Sequence, residues 1–271
     1  MLKNMRINII LVLILLFIPS YSYSWTSITH WNSSNENGWY TWESAGTTTA
    51  NITLTPAQPD GYPTTLRITT PAGMTSNAGQ QIAGASIAFD SEDEMWAQYY
   101  VYYPSDYTWH PIAEKISGWD WPSNTTNNLL LVWGEENLLM APQLGWTKYI
   151  EFTSNTGYNP YQTKNHWYKF KEYVKMNTAG QFNGVYQLWV DDRMVMNYSN
   201  VPYRNTGDKS GFTKFVELLV WGGQGGNITL RADMHQYRGT SVVSSQDIIY
   251  PQTGSNPTGY KPMSPSNLII K

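Results

Sequence analysis

Apolar and polar residues alternate along most of this chain. A two-residue period runs through Ala50–Leu54, Thr65–Thr69, Met95–Tyr103, Asn128–Trp133, Lys148–Phe152, Tyr168–Met176, Tyr186–Val190, Phe215–Trp221 and Ile228–Tyr237. Clusters of Gly, Pro, Asn and Asp separate these runs, and no long stretch has helical spacing. The pattern predicts many short strands in one all-β domain, an antiparallel β-sandwich. In Val185–Val195, Asp191-Asp192 stands between two apolar runs and reads as a tight hairpin turn, which makes these acids turn formers rather than catalysts. The segment Tyr107–Pro122 carries Trp109, Trp119, Trp121 and two prolines, and predicts an aromatic loop over a site or a core edge.

The first residues depart from this pattern. Lys3 and Arg6 precede an apolar run from Ile9 to Ile18, followed by Pro19 and small residues at Ser22 and Ser24, the three parts of a secretory signal. The expected organisation is a signal peptide over 1–24, one sandwich domain over 25–250, and a Pro/Gly/Ser-rich tail over 251–271. The apolar run is half the roughly 20 residues needed to span a bilayer, so no membrane association is expected after cleavage. Removing Lys3 and Arg6 takes the net charge from −3 to −5, which gives no general attraction to nucleic acid. With no cysteine, an exported chain must be held by its core. Aromatics (15%) outnumber charged residues (14%), a balance that fits broad half-buried sheets with wet aromatic surfaces rather than a helical bundle.

Two stretches carry a resemblance. YYVYYPSDYTWHPIAEKISGW, Tyr99 to Trp119, is similar to the strand and loop of the alginate-lyase-like polysaccharide lyases of family 14, with Lys115-Ile116-Ser117-Gly118 where that family has a lysine–leucine–proline–glycine loop. HWYKFKEYVKMNTAGQFNGVYQLWVDDRMV, His166 to Val195, resembles the same family's hairpin, and Trp221-Gly222-Gly223 its later aromatic–Gly–Gly strand end. The resemblance implies a jelly roll of the concanavalin A-like lectin/glucanase type and a polysaccharide partner, acidic where elimination is the chemistry. It also implies a catalytic lysine, matched by Lys115. The family's serine–x–arginine falls on Asn128 and Leu130, and its tyrosine–x–tyrosine near Leu139 and Ala141, so one expected functional residue is kept. Cutting and holding a polysaccharide, as lyase or as lectin or adhesion module, both stay open.

Elimination from a uronate polymer needs a group that neutralises the carboxylate and a base for the neighbouring proton. Candidate neutralisers are Lys115 and Arg231; candidate bases and acids are Tyr100, Tyr237 and His235. A tyrosine in that role needs its pKa lowered by neighbouring positive charge. Strand alternation puts Gln98, Tyr100 and Tyr102 on one face, and Arg231, Asp233, His235 and Tyr237 on one face of another strand. Gln98, Tyr102, Asn128, Trp109 and Trp119 complete the expected substrate contacts. Packing explains several of these equally well: cross-strand partners for Tyr100 and Tyr102, a sheet hydrogen bond for His235, an Asp233–Arg231 pair. Lys169, Lys171 and Lys175 share one parity and read as a solvated face. The acids of Asp90–Glu94 are contiguous rather than alternating, which argues against a sandwich-fold glycosidase. The four histidines are scattered, so no metal or other cofactor is implied; a structural calcium held by backbone carbonyls leaves no trace in a sequence.

Overall fold

The computed structural model describes residues 24–43, 49–74, 81–110, 113–122, 127–134, 138–144, 151–221 and 229–248. The expected signal peptide, apart from Ser24, and the expected tail lie outside the described residues. Sixteen strands are formed among the described residues: β1 (Thr26–Thr29), β2 (Asn35–Glu36), β3 (Trp39–Glu43), β4 (Thr49–Thr53), β5 (Thr65–Thr70), β6 (Gln81–Glu92), β7 (Glu94–Tyr103), β8 (Ala113–Trp121), β9 (Asn127–Gly134), β10 (Leu138–Leu144), β11 (Phe152–Thr153), β12 (His166–Lys175), β13 (Gly184–Val190), β14 (Arg193–Val201), β15 (Phe212–Trp221) and β16 (Met234–Ser244). They make two antiparallel sheets packed as a jelly-roll sandwich. Sheet A has the order β14-β13-β12-β7-β16-β5-β4, with β1 also on β16; sheet B has β11-β10-β9-β8-β15-β6-β3-β2.

Alternation places one side of each strand between the sheets. In β13 every second residue is buried, and β12 sends Tyr168, Phe170, Glu172 and Val174 inward while Lys169, Lys171 and Tyr173 stay half-exposed. Trp31, Trp39, Trp119, Trp133, Tyr99, Tyr103 and Phe170 are fully enclosed. Each such aromatic contributes about 1.5–3 kcal/mol of hydrophobic stabilisation, which is how a chain without cysteine holds together. The predicted hairpin is present: Asp191 and Asp192 join β13 to β14 with φ of 50° and 64°, the left-handed pair of a type I′ turn. Asp191 Oδ1 also accepts the Lys169 amide at 2.9 Å.

Three expectations change. Tyr107–Pro122 is not one loop: Ala113–Trp121 is β8, hydrogen-bonded on both sides in the middle of sheet B. The last strand begins at Met234 rather than Ile228 and runs on to Ser244, because Arg231–Asp233 bend ahead of it and the Ser-Val-Val stretch continues the ladder. Of Lys148–Phe152, only the end is seen, as the start of the two-residue strand β11; residues 148–150 lie outside the described set.

Candidate functional site

Each sheet has an outer face, and the sequence-predicted residues divide between the two. On sheet B, Glu114, Ser117 and Trp119 of β8 are buried in the interior, so Lys115, Gly118 and Asp120 face outward. On β9, Leu129, Leu131 and Trp133 belong to the core cluster, leaving Asn128, Leu130 and Val132 on the outer side. Lys115 stands on a central strand of this sheet, near the strand's start, in register with Val132 on one side and Val220 on the other. Leu130 (8%), Val132 (8%) and Val216 (5%) are little exposed although they face outward. Lys115 itself is half-buried, and burial pulls its ammonium below the usual lysine range.

A second polar group lies on the same face. Asp120 pairs in register with Lys214 of β15 and with Asn128 of β9, and its carboxylate bonds Lys214 Nζ at 3.1 Å. Burial raises the Asp120 pKa and the Lys214 charge opposes that rise. The Asn128 side-chain oxygen is buried without a hydrogen-bond partner. Lys214 and Asp120 were not singled out in the sequence, although alternation in FTKFVELLVW places Lys214 on the parity of outward Val216. Leu139 faces Val132, and Ala141 faces Leu130, in the β10–β9 ladder. The positions matched to the family's arginine and tyrosines therefore hold aliphatic residues in register around Lys115. Among the described residues, the tyrosine on this face is Tyr40 of β3, three strands from β8 and so about 14 Å away.

The remaining candidates stand on or near the outer face of sheet A. Gln98, Tyr100 and Tyr102 alternate with Tyr99, Val101 and Tyr103 of the core, so they point away from Lys115 with the whole sandwich between. Tyr102 meets Trp167 at 5.3 Å and Tyr237 at 6.0 Å between ring centroids. Tyr100 (7%) and Gln98 (5%) are nearly enclosed. Over Tyr100 the chain packs so tightly that a Cβ on Gly239 would stand 2.6 Å from Gln58 Oε1 and 2.9 Å from Tyr100 Cβ. Burial, followed by Asp60, Asp192 and Asp191, raises the Tyr100 pKa, and burial raises that of Tyr237. Both shifts run opposite to what a tyrosine base requires. His235 Nδ1 lies 3.0 Å from Thr69 Oγ1, the sheet hydrogen bond that packing predicts.

Arg231 is exposed ahead of β16, and Asp233 accepts the Ala72 amide at 2.9 Å rather than pairing with Arg231. Trp119 is fully buried and donates to Glu172 at 3.1 Å, so it cannot meet a ligand. Trp109 packs into the core edge, 4.2 Å from Tyr103 and 5.4 Å from Trp133 between centroids. The lysine stripe is matched by its own acids: Lys169 with Asp192, Lys171 with Asp247 at 2.5 Å, Lys175 with Glu94 at 3.0 Å. Of the predicted set, Lys115 and Asn128 share a face; the tyrosines and His235 do not join them. Among the described residues no cluster of three or more His, Cys, Asp or Glu could hold a metal ion.

Residues 149–238 match the family model described as polysaccharide lyase 14. The matched span contains the His166–Val195 hairpin and stops short of the Tyr99–Trp119 stretch that carries Lys115. No curated protein matches the sequence. Among solved structures, the chain is similar to the family 14 alginate lyase of the marine animal Aplysia kurodai, with a TM-score of 0.60 and 16% identity over 82% of this chain and 97% of that one. It is similar to an endo-β-1,4-glucuronan lyase from the fungus Trichoderma reesei, with a TM-score of 0.59 and 13% identity over 82% and 95% of the two chains. A mutated alginate lyase in complex with an alginate tetrasaccharide matches with a TM-score of 0.53 and 20% identity, over 66% and 80%. At such identities the likeness is one of fold.

Proposed function

We propose that the chain is an exported protein that binds an acidic polysaccharide along the outer face of sheet B, with Lys115 as a carboxylate contact. The observation that carries this reading is a half-buried lysine, without an acidic partner among the described residues, facing outward from a central strand of that sheet. The fold is one that alginate and glucuronan lyases share. Leu130, Val132 and Val216, all little exposed, make the surroundings of this strand apolar, and low local polarity strengthens an ammonium–carboxylate contact.

Holding is favoured over cutting. Elimination needs a cation at the carboxylate, a base at the neighbouring carbon and an acid at the leaving oxygen. The described outer face offers Lys214, already bound to Asp120 toward the far end of β8 from Lys115, and aliphatic residues at the positions in register with Lys115. A second reading keeps elimination, with Lys115 as the base. Its lowered pKa makes the neutral amine more accessible, and the Asn128 amide stands on the same face as a polar contact.

Incubation with alginate, glucuronan and heparin-type polymers separates the two. Calorimetric binding with no ultraviolet absorbance from a new double bond, lost in Lys115→Ala, supports holding. Absorbance that grows with wild type and vanishes in Lys115→Ala moves the conclusion to elimination, and absence of binding to all three polymers removes both. Export rests on Lys3, Arg6 and the Ile9–Ile18 run, and predicts a mature amino terminus at Trp25 on N-terminal sequencing.

A further inference from the structure

Charged and polar side chains cluster in the interior of the sandwich directly beneath β8. Gln236 Nε2 of β16 donates to Glu114 Oε1 at 2.7 Å. Ser117 Oγ and Trp119 Nε1 donate to Glu172 of β12 at 2.6 and 3.1 Å. Tyr99 and Tyr186 complete the shell of Glu172 at 2.7 and 3.1 Å, so its carboxylate accepts four donors. Between these contacts, Arg238 of β16 reaches across the core and donates Nη2 to the carbonyl of Ile116 at 3.2 Å. Arg238 and Glu217 are both fully buried, with Nε to Oε2 at 3.9 Å.

Ile116 is the residue out of register in β8. The ladder to β9 slips between Lys115 and Ser117, and the ladder to β15 slips between Glu217 and Val220, the partners of Ser117 and Lys115. A bulge re-aims the side chains beside it and takes a carbonyl out of the regular ladder. Here that carbonyl is capped from the opposite sheet, one residue after Lys115.

We propose that Arg238 is a positioning residue for Lys115: by holding the Ile116 carbonyl across the core, it fixes the β8 bulge and thereby where the Lys115 ammonium stands on the outer face. The proposal rests on the reading of Lys115 as a saccharide contact. An aliphatic residue of similar size would join the two sheets at least as well, since burying a guanidinium is costly. What the guanidinium adds is direction, one donor on a chosen carbonyl with its charge balanced by Glu217 of β15 and, further off, Glu114 of β8. The other groups facing this pair are Ser241 of β16, Glu172 of β12 and the Tyr103 and Tyr107 phenols beside Glu114.

The test reads Lys115 itself. Lysines labelled with ¹³C at Cε are titrated by NMR, with the Lys115 signal assigned by its absence in Lys115→Arg. Binding of an alginate tetrasaccharide is followed by calorimetry in parallel. In Arg238→Met the bulge is released, the Lys115 titration moves up toward the ordinary value of 10.5, and binding weakens by about tenfold, the scale of one weakened hydrogen bond to a charged group. Arg238→Lys keeps the charge but not the planar fork, so a shift of the same sign there is geometric rather than electrostatic. This variant also serves if Arg238→Met does not fold. Unchanged Lys115 titration and unchanged binding in a folded Arg238 variant would overturn the proposal. If instead Lys115→Ala binds as wild type does, the saccharide reading fails, and the Lys115 titration alone still decides whether Arg238 positions it.

Discussion

Replacing Glu114 by glutamine should stabilise the protein in mild base and do so much less in mild acid. Glu114 has no solvent exposure, and burial pushes its carboxyl from 4.5 up to about 7, against the Tyr107 hydroxyl, Arg238, Gln236 and Tyr103, which favour the charge. The unfolded chain releases this proton near 4.5, so between pH 4.5 and 7 the folded state holds a proton that the unfolded state has lost. Stability therefore falls as pH rises through that window. Above pH 7 the buried charge costs about 3 kcal/mol, at roughly 1.4 kcal/mol per pH unit. Glutamine keeps the shape and an oxygen for Gln236 but cannot ionise. The gain over wild type should grow from about 1 kcal/mol at pH 5 to as much as about 3 kcal/mol at pH 8. Glu217 is pushed up to about 7 by its own burial, against Arg238, so wild type loses more than one carboxyl's share over the same window. Burial lowers the pKa of His30 and His110, which adds stability as pH rises toward 6.5; taking the difference between variant and wild type cancels that contribution. Urea unfolding followed by tryptophan fluorescence at pH 5, 6, 7 and 8 measures it. A variant no more stable than wild type at pH 8, with the same denaturant slope, would refute the reasoning and leave Glu114 as a supported carboxylate.

Other substitutions probe the frame around the site. Gly84→Ala would set a Cβ 2.0 Å from the Glu217 carbonyl oxygen, so β6 and β15 must separate; thermal unfolding should show a loss above about 2 kcal/mol, and none would mean that the strands part freely. Asp192→Gly suits the 64° φ and removes an ion pair whose acid is 57% exposed, so the urea midpoint should hold or rise by a few tenths of a kcal/mol. Lys171→Met keeps the stem near Trp96 and Trp189 but drops the contacts to Asp247 and the Ile248 carbonyl. Amide exchange over 245–248 should quicken, with global stability falling by no more than about 1 kcal/mol.

Strands were legible where alternation was clean. Met95–Tyr103 and Tyr168–Met176 lie within observed strands to within a residue, because their inward residues are aromatic or aliphatic with few exceptions and their outward ones polar or amphipathic. β8 was read as loop because its inward residues include Glu114 and Ser117, and a buried carboxyl breaks the rule by which charge marks the solvent side. β6 is hidden for another reason: its Ala83–Ser86 stretch holds none of the β-branched and aromatic residues that announce a strand, yet Gly84 is small because a backbone passes beside it. Asn37-Gly38, in left-handed φ of 53° and 87° between β2 and β3, is a hairpin signal that the sequence itself carries.

The candidate site fails in one specific step. Parity correctly separates Tyr100 from Tyr99, and Tyr102 from Tyr103, but it says only which face of its own strand a side chain takes. A sandwich has two outer faces, and strands consecutive in sequence can lie in different sheets. β7 lies in sheet A and β8 in sheet B, so the stretch from Tyr99 to Trp119 crosses the molecule although it reads as one motif. The partners of Lys115 are set by hydrogen-bonded neighbours, and the neighbours of β8 are β9 and β15. These bring Asn128, Leu130 and Val132 from one side and Lys214 and Val216 from the other. Among the described residues, a base for elimination beside Lys115 must therefore come from those strands or from one beyond them, and the positions there in register with Lys115 are aliphatic.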